Sequence, residues 1–311
     1  MRWKKLSQYN LNPELNSLRK MKAIINKPLL PFLNFFMKIV FRLTSDSEVS
    51  VKTYMVQGYK SEAINVSIIE PKTKIEGKRS TLIFFHGGAF CLRASGAHFR
   101  LAKEYALRLS CKVIYADYRL APKYLFPYAL EDCFATYKWV LKNADKLNID
   151  VNRLIIGGDS AGGNLAIGVT MLAMKKKLLL PKAELLIYPV TDRRMMTQSM
   201  KEFTDTPVWN AKLNKKLWKM YLSNAKDQIE YISPMEHDSF EGFPQTYIEV
   251  AEFDCLRDEG IAFGEKLKEN AVNVELIEVK GACHGFETVT NSSITRNAMD
   301  RRIAFCNNIM A

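Results

Sequence analysis

The chain has 311 residues, of which 48% are hydrophobic and 25% are charged, and its 45 Lys and Arg outnumber its 33 Asp and Glu to give a formal net charge of +12. This composition is ordinary for a globular protein and excludes a disordered, collagen-like or disulfide-scaffold chain, while the length suits one large domain or a core with an inserted subdomain. Six scattered cysteines without a CxxC pair or zinc-binding spacing indicate free thiols in a reducing compartment and give no support to a metal site.

The apolar segment 28–43 is the one candidate for a membrane span. It contains Lys38 and Arg42, and it falls well short of the roughly 20 uncharged residues that a span needs. It also lies too far along the chain, and lacks the small-residue cleavage site, to belong to a secretory signal. We therefore expect a cytoplasmic protein.

The positive charge is concentrated in two segments. Residues 1–45 contain nine Lys or Arg and one acidic residue, and residues 193–226 contain eight and two, so the rest of the chain is nearly neutral. Both segments are also rich in large apolar residues, which is typical of amphipathic helices. Either the apolar faces of these helices pack on the core and leave the lysines in water, or the two segments form a basic, apolar lid that meets anionic substrates or an anionic membrane surface. No nucleic-acid partner is expected, because no basic run is interleaved with stacking aromatics.

Between these segments, short β-branched or aromatic runs alternate with helical patterns, which predicts an α/β fold with a mostly parallel sheet and helices on both faces. The eight predicted strands are Val49–Gln57, Ala63–Ile69, Ser80–Phe85, Lys112–Ala116, Arg153–Gly157, Ala183–Tyr188, Gln245–Val250 and Val274–Val279. The predicted helices are Ala97–Leu109, Pro127–Asn143, Ala161–Lys177, Arg257–Glu269 and Ser293–Asn307. No helix separates the first two strands, so they are expected to pair antiparallel at one edge, followed by five or six parallel strands.

A serine follows the fifth predicted strand at a sharp turn. The sequence GDSAG at 158–162 matches the G-x-S-x-G nucleophile elbow, and it has the strand before it and the helix after it that this motif requires. Gly158 and Gly162 leave room for a tight turn that projects the Ser160 hydroxyl above the sheet. The helix directs its positive N-terminal end at the same place. Ser160 is therefore predicted to be a nucleophile.

A nucleophilic serine needs a histidine base, which a carboxylate in turn orients. In folds with this elbow the chain order is serine, acid, histidine, so His86 and His98, which precede Ser160, are not expected to be the base. His237 lies in a turn-rich polar stretch with no strand before it. His284 follows the last predicted strand, at the same end of the sheet as the serine, and is the predicted base.

The acid is expected on the loop after the strand that precedes the strand of His284. Asp254 ends the run 247–254 at that point and is the predicted acid. Asp192, which follows an earlier strand, is the competing candidate. Glu252 precedes the turn, and Asp258 begins a helix, where the helix dipole independently favours an acidic residue.

A glycine-containing loop, HGGAF at 86–90, follows the third predicted strand. Its glycines allow backbone N–H groups to point into a cavity instead of toward a neighbouring strand. The amides of Gly87 and Gly88, together with that of Ala161 after the nucleophile, are predicted to form an oxyanion hole with three donors. His86 itself is expected to have a structural hydrogen-bonding role.

These motifs, in this order, resemble the hormone-sensitive-lipase group of α/β-hydrolase esterases over roughly residues 80–290. The matching residues are HGGA at 86–89, YRLAP at 118–122, FP at 126–127, ED at 131–132, GDSAGG at 158–163, YP at 188–189, Asp254 with RD at 257–258, and HGF at 284–286. The resemblance implies an α/β-hydrolase fold with an eight-stranded sheet. It also implies a carboxylic-ester hydrolase of acetyl esterase or lipase type that acts on small-molecule esters with short or medium acyl chains and needs no cofactor.

The same resemblance implies a helical cap formed by residues 1–45 and an insertion at about 193–226, on a catalytic domain that spans 46–311. It assigns a catalytic triad to Ser160, Asp254 and His284, and oxyanion donors to Gly87, Gly88 and Ala161. The acyl group would lie in an apolar slot under this cap, with Phe90, Tyr188 and Trp209 as candidate walls.

Two positions depart from the family pattern. Ala89 stands where a third glycine is common, and Cys255 stands where proline usually follows the acid. The cysteine is expected to loosen the turn that holds Asp254 and so affect how firmly His284 is oriented.

Several alternatives remain open at this stage. The same triad could hydrolyse amides or peptides, although no propeller domain like that of the oligopeptidases is present, and the fold could also serve a non-catalytic ligand-binding protein. The basic N-terminal segment could make a peripheral membrane contact. A homodimer through the last strand, Val274–Val279, and the C-terminal segment is also expected.

Overall fold

The computed structural model describes residues 9–73, 76–225 and 227–311, and an eight-stranded sheet forms its centre. The strands are β1 (Val49–Gln57), β2 (Ala63–Pro71), β3 (Arg79–Phe85), β4 (Lys112–Ala116), β5 (Ile149–Asp159), β6 (Ala183–Ile187), β7 (Gln245–Phe253) and β8 (Val274–Cys283). The helices are α1 (Leu30–Val40), α2 (Gly96–Arg108), α3 (Tyr128–Lys142), α4 (Ala161–Lys175), α5 (Gln198–Glu202), α6 (Ala211–Tyr221), α7 (Arg257–Glu269) and α8 (Ser293–Met310).

The strands lie in the order β1-β2-β4-β3-β5-β6-β7-β8. β1 pairs antiparallel with β2, and β2 pairs antiparallel with β4, whereas every later pair is parallel. The predicted fold class is confirmed, as are the antiparallel first pair and the six parallel strands that follow it.

The register of the parallel strands gathers the functional loops at one edge of the sheet. Phe85 at the end of β3 lies opposite Gly158 of β5, and Asp159 lies opposite Ile187 at the end of β6. Further along the sheet, the ends of β7 and β8 also lie side by side. The carboxyl ends of parallel strands are where ligands bind in α/β folds, and each predicted site residue follows one of these ends.

Burial explains why the central strands are continuous apolar runs. Every residue of β3 and β4 is buried, as expected for strands covered by helices on both faces, whereas only Val49 and Val56 are buried in β1 at the edge. The helix α4, which follows the serine, is buried from Ala161 to Ala173. The turn at Ser160 is therefore followed by a helix that is buried along most of its length.

The two basic segments pack differently. Helix α6 of the second segment buries Leu217, Trp218 and Tyr221 against the core. Helix α1 of the first segment buries only Leu30. Packing of the apolar face on the core is therefore the right interpretation for α6 and the wrong one for α1, whose large apolar side chains remain exposed.

The two segments also contact each other. Residues 21–23 pair with Val208, whose amide N–H donates to the Met21 carbonyl over 2.7 Å, while the Ala23 amide donates to the Val208 carbonyl over 2.9 Å. The Tyr9 hydroxyl donates to Asp205 Oδ1 over 2.6 Å. Residues 1–8 of the first segment and residue 226 of the second lie outside the described residues. Within the described residues, none of the helices combines the length and apolarity needed to cross a bilayer.

Candidate active site

Ser160 occupies the sharp turn between β5 and α4. Its backbone has φ 55° and ψ −118°, a conformation that side-chain-bearing residues rarely adopt. A Cβ on Gly162 or on Gly158 would overlap the carbonyl oxygen of Phe85, so the turn requires glycine at both positions. The Ser160 amide donates to the Ile187 carbonyl over 2.8 Å, which fixes the elbow against the end of β6.

His284 and Asp254 meet at the ends of β8 and β7. Nδ1 of His284 lies 2.6 Å from Oδ2 of Asp254, and both side chains are buried. The second carboxylate oxygen of Asp254 accepts the Leu256 amide N–H over 3.0 Å. This pair has the geometry in which a carboxylate fixes the orientation of an imidazole.

The turn after Asp254 is held by hydrogen bonds despite the cysteine in it. The Arg257 amide donates to the Asp254 carbonyl over 3.0 Å, and the Ser199 hydroxyl donates to the Cys255 carbonyl over 2.9 Å. Cys255 itself is fully buried. These two hydrogen bonds restrain the turn on both sides of Cys255.

Tyr188 connects the serine to the histidine. It follows Ile187, whose carbonyl binds the Ser160 amide, and its ring centroid lies 4.4 Å from that of His284. Tyr188 has a φ of 33°, so its own backbone is in the left-handed region. The structure thus brings Ser160, His284 and Asp254 to neighbouring loops at one edge of the sheet.

The other acids considered from the sequence have different partners. Asp192 binds Arg194, with its Oδ1 2.8 Å from Nε and its Oδ2 2.9 Å from Nη2. Glu252 accepts the Gly281 amide N–H over 2.7 Å, and Asp258 accepts the Ser199 amide over 2.7 Å. Among these acids, only Asp254 contacts His284. His237 lies apart from this site, with its ring 5.4 Å from that of Phe240.

The structure corrects the expectation for the Gly87 amide. Its N–H donates to Oδ1 of Asp159 over 3.0 Å in a fully buried contact, so it is not available to an oxyanion. The physical reason is the buried carboxylate of Asp159, which precedes the serine and needs donors of its own.

The next residue along the loop offers a donor instead. The amides of Gly88 and Ala89, whose φ values are 108° and 55°, have no hydrogen-bond acceptor among the residues that the structure describes. Ala161 is the first residue of α4, where an N–H has no acceptor within the helix. The free donors are therefore those of Gly88, Ala89 and Ala161. Sequence reasoning missed Ala89 because the HGGA pattern does not reveal which amide the neighbouring carboxylate binds.

Comparison with known proteins agrees with this architecture. A family model described as alpha/beta hydrolase fold matches residues 82–288. The chain belongs to this α/β-hydrolase family. A segment of 207 residues is 33% identical to the arylesterase of Saccharolobus solfataricus and covers 66% of this chain and 67% of that protein. The chain spans between 64% and 67% of the length of the first four curated relatives that it matches.

Solved esterase structures match almost the whole of this α/β-hydrolase. A bacterial heroin esterase has a TM-score of 0.88 at 28% identity, with 97% of this chain and 98% of that chain covered. Esterase LipW from Mycobacterium marinum has a TM-score of 0.89 at 27% identity, with 98% and 97% covered. The resemblance to the hormone-sensitive-lipase-like carboxylesterases, drawn from the motifs, is confirmed.

In this α/β-hydrolase, two histidines lie near Asp159, the residue before Ser160. Nε2 of His98 lies 3.3 Å from Oδ2 of Asp159. Burial lowers the pKa of His98, but the charge and hydrogen bond of Asp159 together with the charge of Glu287 outweigh burial, and the pKa is raised. His86 stacks on Tyr118 with ring centroids 4.4 Å apart. Burial, followed by the charge of His98, lowers the pKa of His86 to about 3, so His86 is neutral and structural.

The three predicted pocket residues have two different environments. Tyr188 and Trp209 flank the His284 ring, at centroid distances of 4.4 and 6.2 Å. Phe90 instead stacks on Tyr221 of α6 at 4.3 Å and is fully buried. Phe90 therefore joins the loop at 86–90 to the second basic segment of this α/β-hydrolase.

Glu287 is a buried acid that sequence reasoning missed. The Tyr188 hydroxyl donates to its Oε1, and burial raises the pKa of Glu287 to about 7 despite the opposing charge of Arg302. Its position three residues after His284 is a signal in the sequence, but nothing in the local pattern shows that this turn is buried. Through this hydrogen bond Glu287 contacts the side chain that packs against His284.

Proposed function

We propose that this α/β-hydrolase is a serine carboxylic-ester hydrolase that acts on small-molecule esters with short or medium acyl chains. The observation that carries the proposal is the 2.6 Å contact between His284 Nδ1 and Asp254 Oδ2, at the edge of the sheet where Ser160 occupies a strained elbow. In this proposal Ser160 is the nucleophile, His284 is the base and Asp254 is the acid that orients it.

The reaction would proceed through an acyl-enzyme. Nε2 of His284 removes the proton from Ser160 Oγ while that oxygen bonds to the ester carbonyl carbon, and the carbonyl electron pair moves to the oxygen. The His284 imidazolium then gives its proton to the departing alcohol as the ester C–O bond breaks. Water, deprotonated by His284, attacks the acyl group in the same way and releases the acid. Asp254 remains ionised and stabilises the imidazolium.

We assign the oxyanion to the amides of Gly88, Ala89 and Ala161. Two of these donors belong to a loop that the Asp159 carboxylate holds, and the third begins α4, whose dipole also favours negative charge there. Donors that are fixed before the reaction need no reorganisation when charge develops on the substrate oxygen. This assignment replaces Gly87 by Ala89.

The preference for short or medium acyl chains rests on the rings around His284. Tyr188 and Trp209 both pack near its imidazole, and both are almost fully buried. Trp209 belongs to the 193–226 segment, which pairs with residues 21–23 through Val208. We therefore propose that segments 1–45 and 193–226 together form the cap over the substrate.

The six free, buried cysteines support a reducing, cytoplasmic location.

The test is hydrolysis of p-nitrophenyl esters from acetate to palmitate by the wild type, by Ser160→Ala and by a control, Ser47→Ala, at an exposed serine before β1. We expect the short esters to be cleaved by the wild type and the control, and not by Ser160→Ala. Labelling with a fluorophosphonate should add one adduct at Ser160. Activity that survives in Ser160→Ala would contradict the proposal, and so would cleavage of anilides without esters. Absence of both activity and labelling in the wild type would favour a ligand-binding protein.

A further inference from the structure

The outward face of α1 carries large apolar side chains that nothing in the described structure covers. Phe32, Phe35, Phe36 and Ile39 are 73%, 63%, 53% and 51% exposed. Their spacing of i, i+3, i+4 and i+7 places all four on one face of the helix, which we call the aromatic face. Single exposed apolar residues are normal on a protein surface, but four large ones on one face of about two helical turns mark an interaction site.

The opposite face of α1 fixes the direction of the aromatic face. Leu30 is fully buried, and the Asn34 side chain binds the backbone of the loop beyond residue 90. Its Nδ2 donates to the Cys91 carbonyl over 2.8 Å, and its Oδ1 accepts the Arg93 amide N–H over 3.0 Å. The aromatic face therefore points outward because the inner face is already bound to the body of the protein.

The charge along the segment that contains α1 has a single sign. No acidic residue occurs between Glu14 and Asp46 in the sequence, and Lys27, Lys38 and Arg42 in this interval are exposed. None of these three makes an ion pair with a residue that the structure describes. The helix that carries the aromatic face thus belongs to a segment whose exposed Lys27, Lys38 and Arg42 have no ion-pair partner among the described residues, and Asp117, which lies near Phe35 and Ile39, is paired with Arg93.

The exposed apolar side chains and the positive charge together indicate which kind of partner binds the aromatic face. Two copies of the chain that paired through this face would bring their cations together, and the repulsion would oppose pairing. An anionic lipid surface supplies both the negative charge and an apolar layer for the phenylalanines. Since none of the described helices can cross a bilayer, the contact would lie in the interface and would not be a span.

We propose that α1 docks on anionic lipid membranes, with its axis in the plane of the interface. The aromatic face enters the boundary between headgroups and acyl chains, while Lys27, Lys38 and Arg42 bind lipid phosphates and carboxylates. Asn34 connects the docked helix directly to the loop that carries the Gly88 and Ala89 amides. The docking itself does not depend on the proposed esterase activity, so the two can fail separately.

The experiment is co-sedimentation of the full chain with phosphatidylcholine vesicles that contain or lack phosphatidylserine. One variant removes the aromatic face, Phe32→Ser/Phe35→Ser/Phe36→Ser, and a second reverses the charge, Lys38→Glu/Arg42→Glu. The matched controls alter exposed residues outside α1, Leu179→Ser/Met196→Ser and Lys142→Glu/Lys146→Glu. Thermal unfolding midpoints show whether each variant is folded.

We expect the wild type and both controls to bind the vesicles that contain phosphatidylserine. The triple phenylalanine variant should bind at least about tenfold more weakly, because each ring removed takes apolar area out of the acyl boundary. In the charge variant, the affinity for vesicles that contain phosphatidylserine should fall by more than about fivefold for each substitution, because each one removes a positive charge and adds a negative one. Binding to phosphatidylcholine alone should change little.

Three results would overturn the proposal. The wild type could fail to bind vesicles, or it could bind equally with and without phosphatidylserine. The α1 variants could bind as the controls do. Gel filtration could instead show a wild-type dimer that the triple variant converts to a monomer, without vesicle binding, which would assign the aromatic face to contact between copies of the chain.

Discussion

The carboxylate of Asp159 accepts the Gly87 amide N–H over 3.0 Å. Its other oxygen lies 3.3 Å from Nε2 of His98 at the start of α2. Because Asp159 is the residue before Ser160, this contact couples the loop at 86–90 to the nucleophile turn. The positions of the Gly88 and Ala89 amides therefore depend on the Asp159 side chain, which binds the amide of the residue before them.

Replacing Asp159 should separate its hydrogen bond from its charge. Asp159→Asn keeps an acceptor for the Gly87 amide, whereas Asp159→Leu leaves that buried N–H without one. We expect kcat to fall by about 100-fold in the leucine variant, similar to the loss of one oxyanion donor, and by less than about tenfold in the asparagine variant. Steady-state kinetics on a p-nitrophenyl ester provide the measurement. Equal losses in the two variants would mean that the charge, and not the hydrogen bond, sets the loop.

The choice between two acids can be tested by a matched pair of substitutions. Asp254→Asn should lower kcat by about 10³- to 10⁴-fold, because an amide at this position favours the wrong tautomer of His284. Asp192→Asn should leave kcat within a few-fold, since Asp192 binds Arg194 and not the histidine. Both rates are measured on folded protein at equal concentration. A large loss in Asp192→Asn alone would reassign the acid.

Tyr188 has two separable contributions, a ring against His284 and a hydroxyl bound to Glu287. Tyr188→Phe should keep kcat within a few-fold but lower the free energy of unfolding by about 1–3 kcal/mol, because buried Glu287 loses its donor. Since burial raises the pKa of Glu287 to about 7, the carboxyl is ionised mainly above that pH, and the loss should be greater at pH 8 than at pH 5.5. Urea unfolding at the two pH values checks this, with Tyr188→Ala as the variant that should also lower kcat.

Glu184 in β6 makes the stability depend on pH. Both of its carboxylate oxygens are buried, and burial raises its pKa from an ordinary value of 4.5 to about 8 against the smaller, lowering effect of the Thr170 hydroxyl. The folded chain therefore holds a proton that the unfolded chain releases above pH 4.5, so stability is lost as the pH rises through 8.

Glu184→Gln cannot titrate and should flatten that dependence. We expect the variant to unfold with a free energy at least about 1 kcal/mol above the wild type at pH 9, and with little difference at pH 4.5. Urea unfolding at the two pH values provides the comparison. A constant difference between the two proteins across this range would show that the carboxyl does not titrate there.

Local patterns predicted most of the fold. The strand β1 and the helix α7 begin and end at the predicted residues, because alternation at an exposed edge and a first turn rich in acids are both local signals. The strand β5 is longer than predicted, Ile149–Asp159 in place of Arg153–Gly157. Its first residues include the polar Asp150 and Asn152, and they lie in a register shift between the pairing of Ile149 with Arg79 and that of Leu154 with Thr81, so no continuous apolar run marks this part of the strand.

The parts of the candidate site that depend on the order of strands along the chain were predictable from the sequence. The parts that depend on which side chains are buried were not. Ser160, Asp254 and His284 each follow a strand, so the sequence placed them at one edge without coordinates. The partner of the Gly87 amide depends on where the Asp159 side chain turns, and the burial of Glu287 depends on distant residues such as Arg302. For α1, the helical period identified an apolar face but could not show that nothing covers it.

The reactivity of the six thiols, finally, can be used to measure how often the folded chain opens. All are free and buried, and burial raises the pKa of Cys91, Cys111 and Cys283 to about 12, so thiolate is scarce at neutral pH. An alkylating reagent can modify only molecules whose interior has transiently come apart. The rate at which the thiols are alkylated therefore measures how often the core opens. Although Cys283 is the neighbour of His284, inhibition by such a reagent would also report exposure of the core.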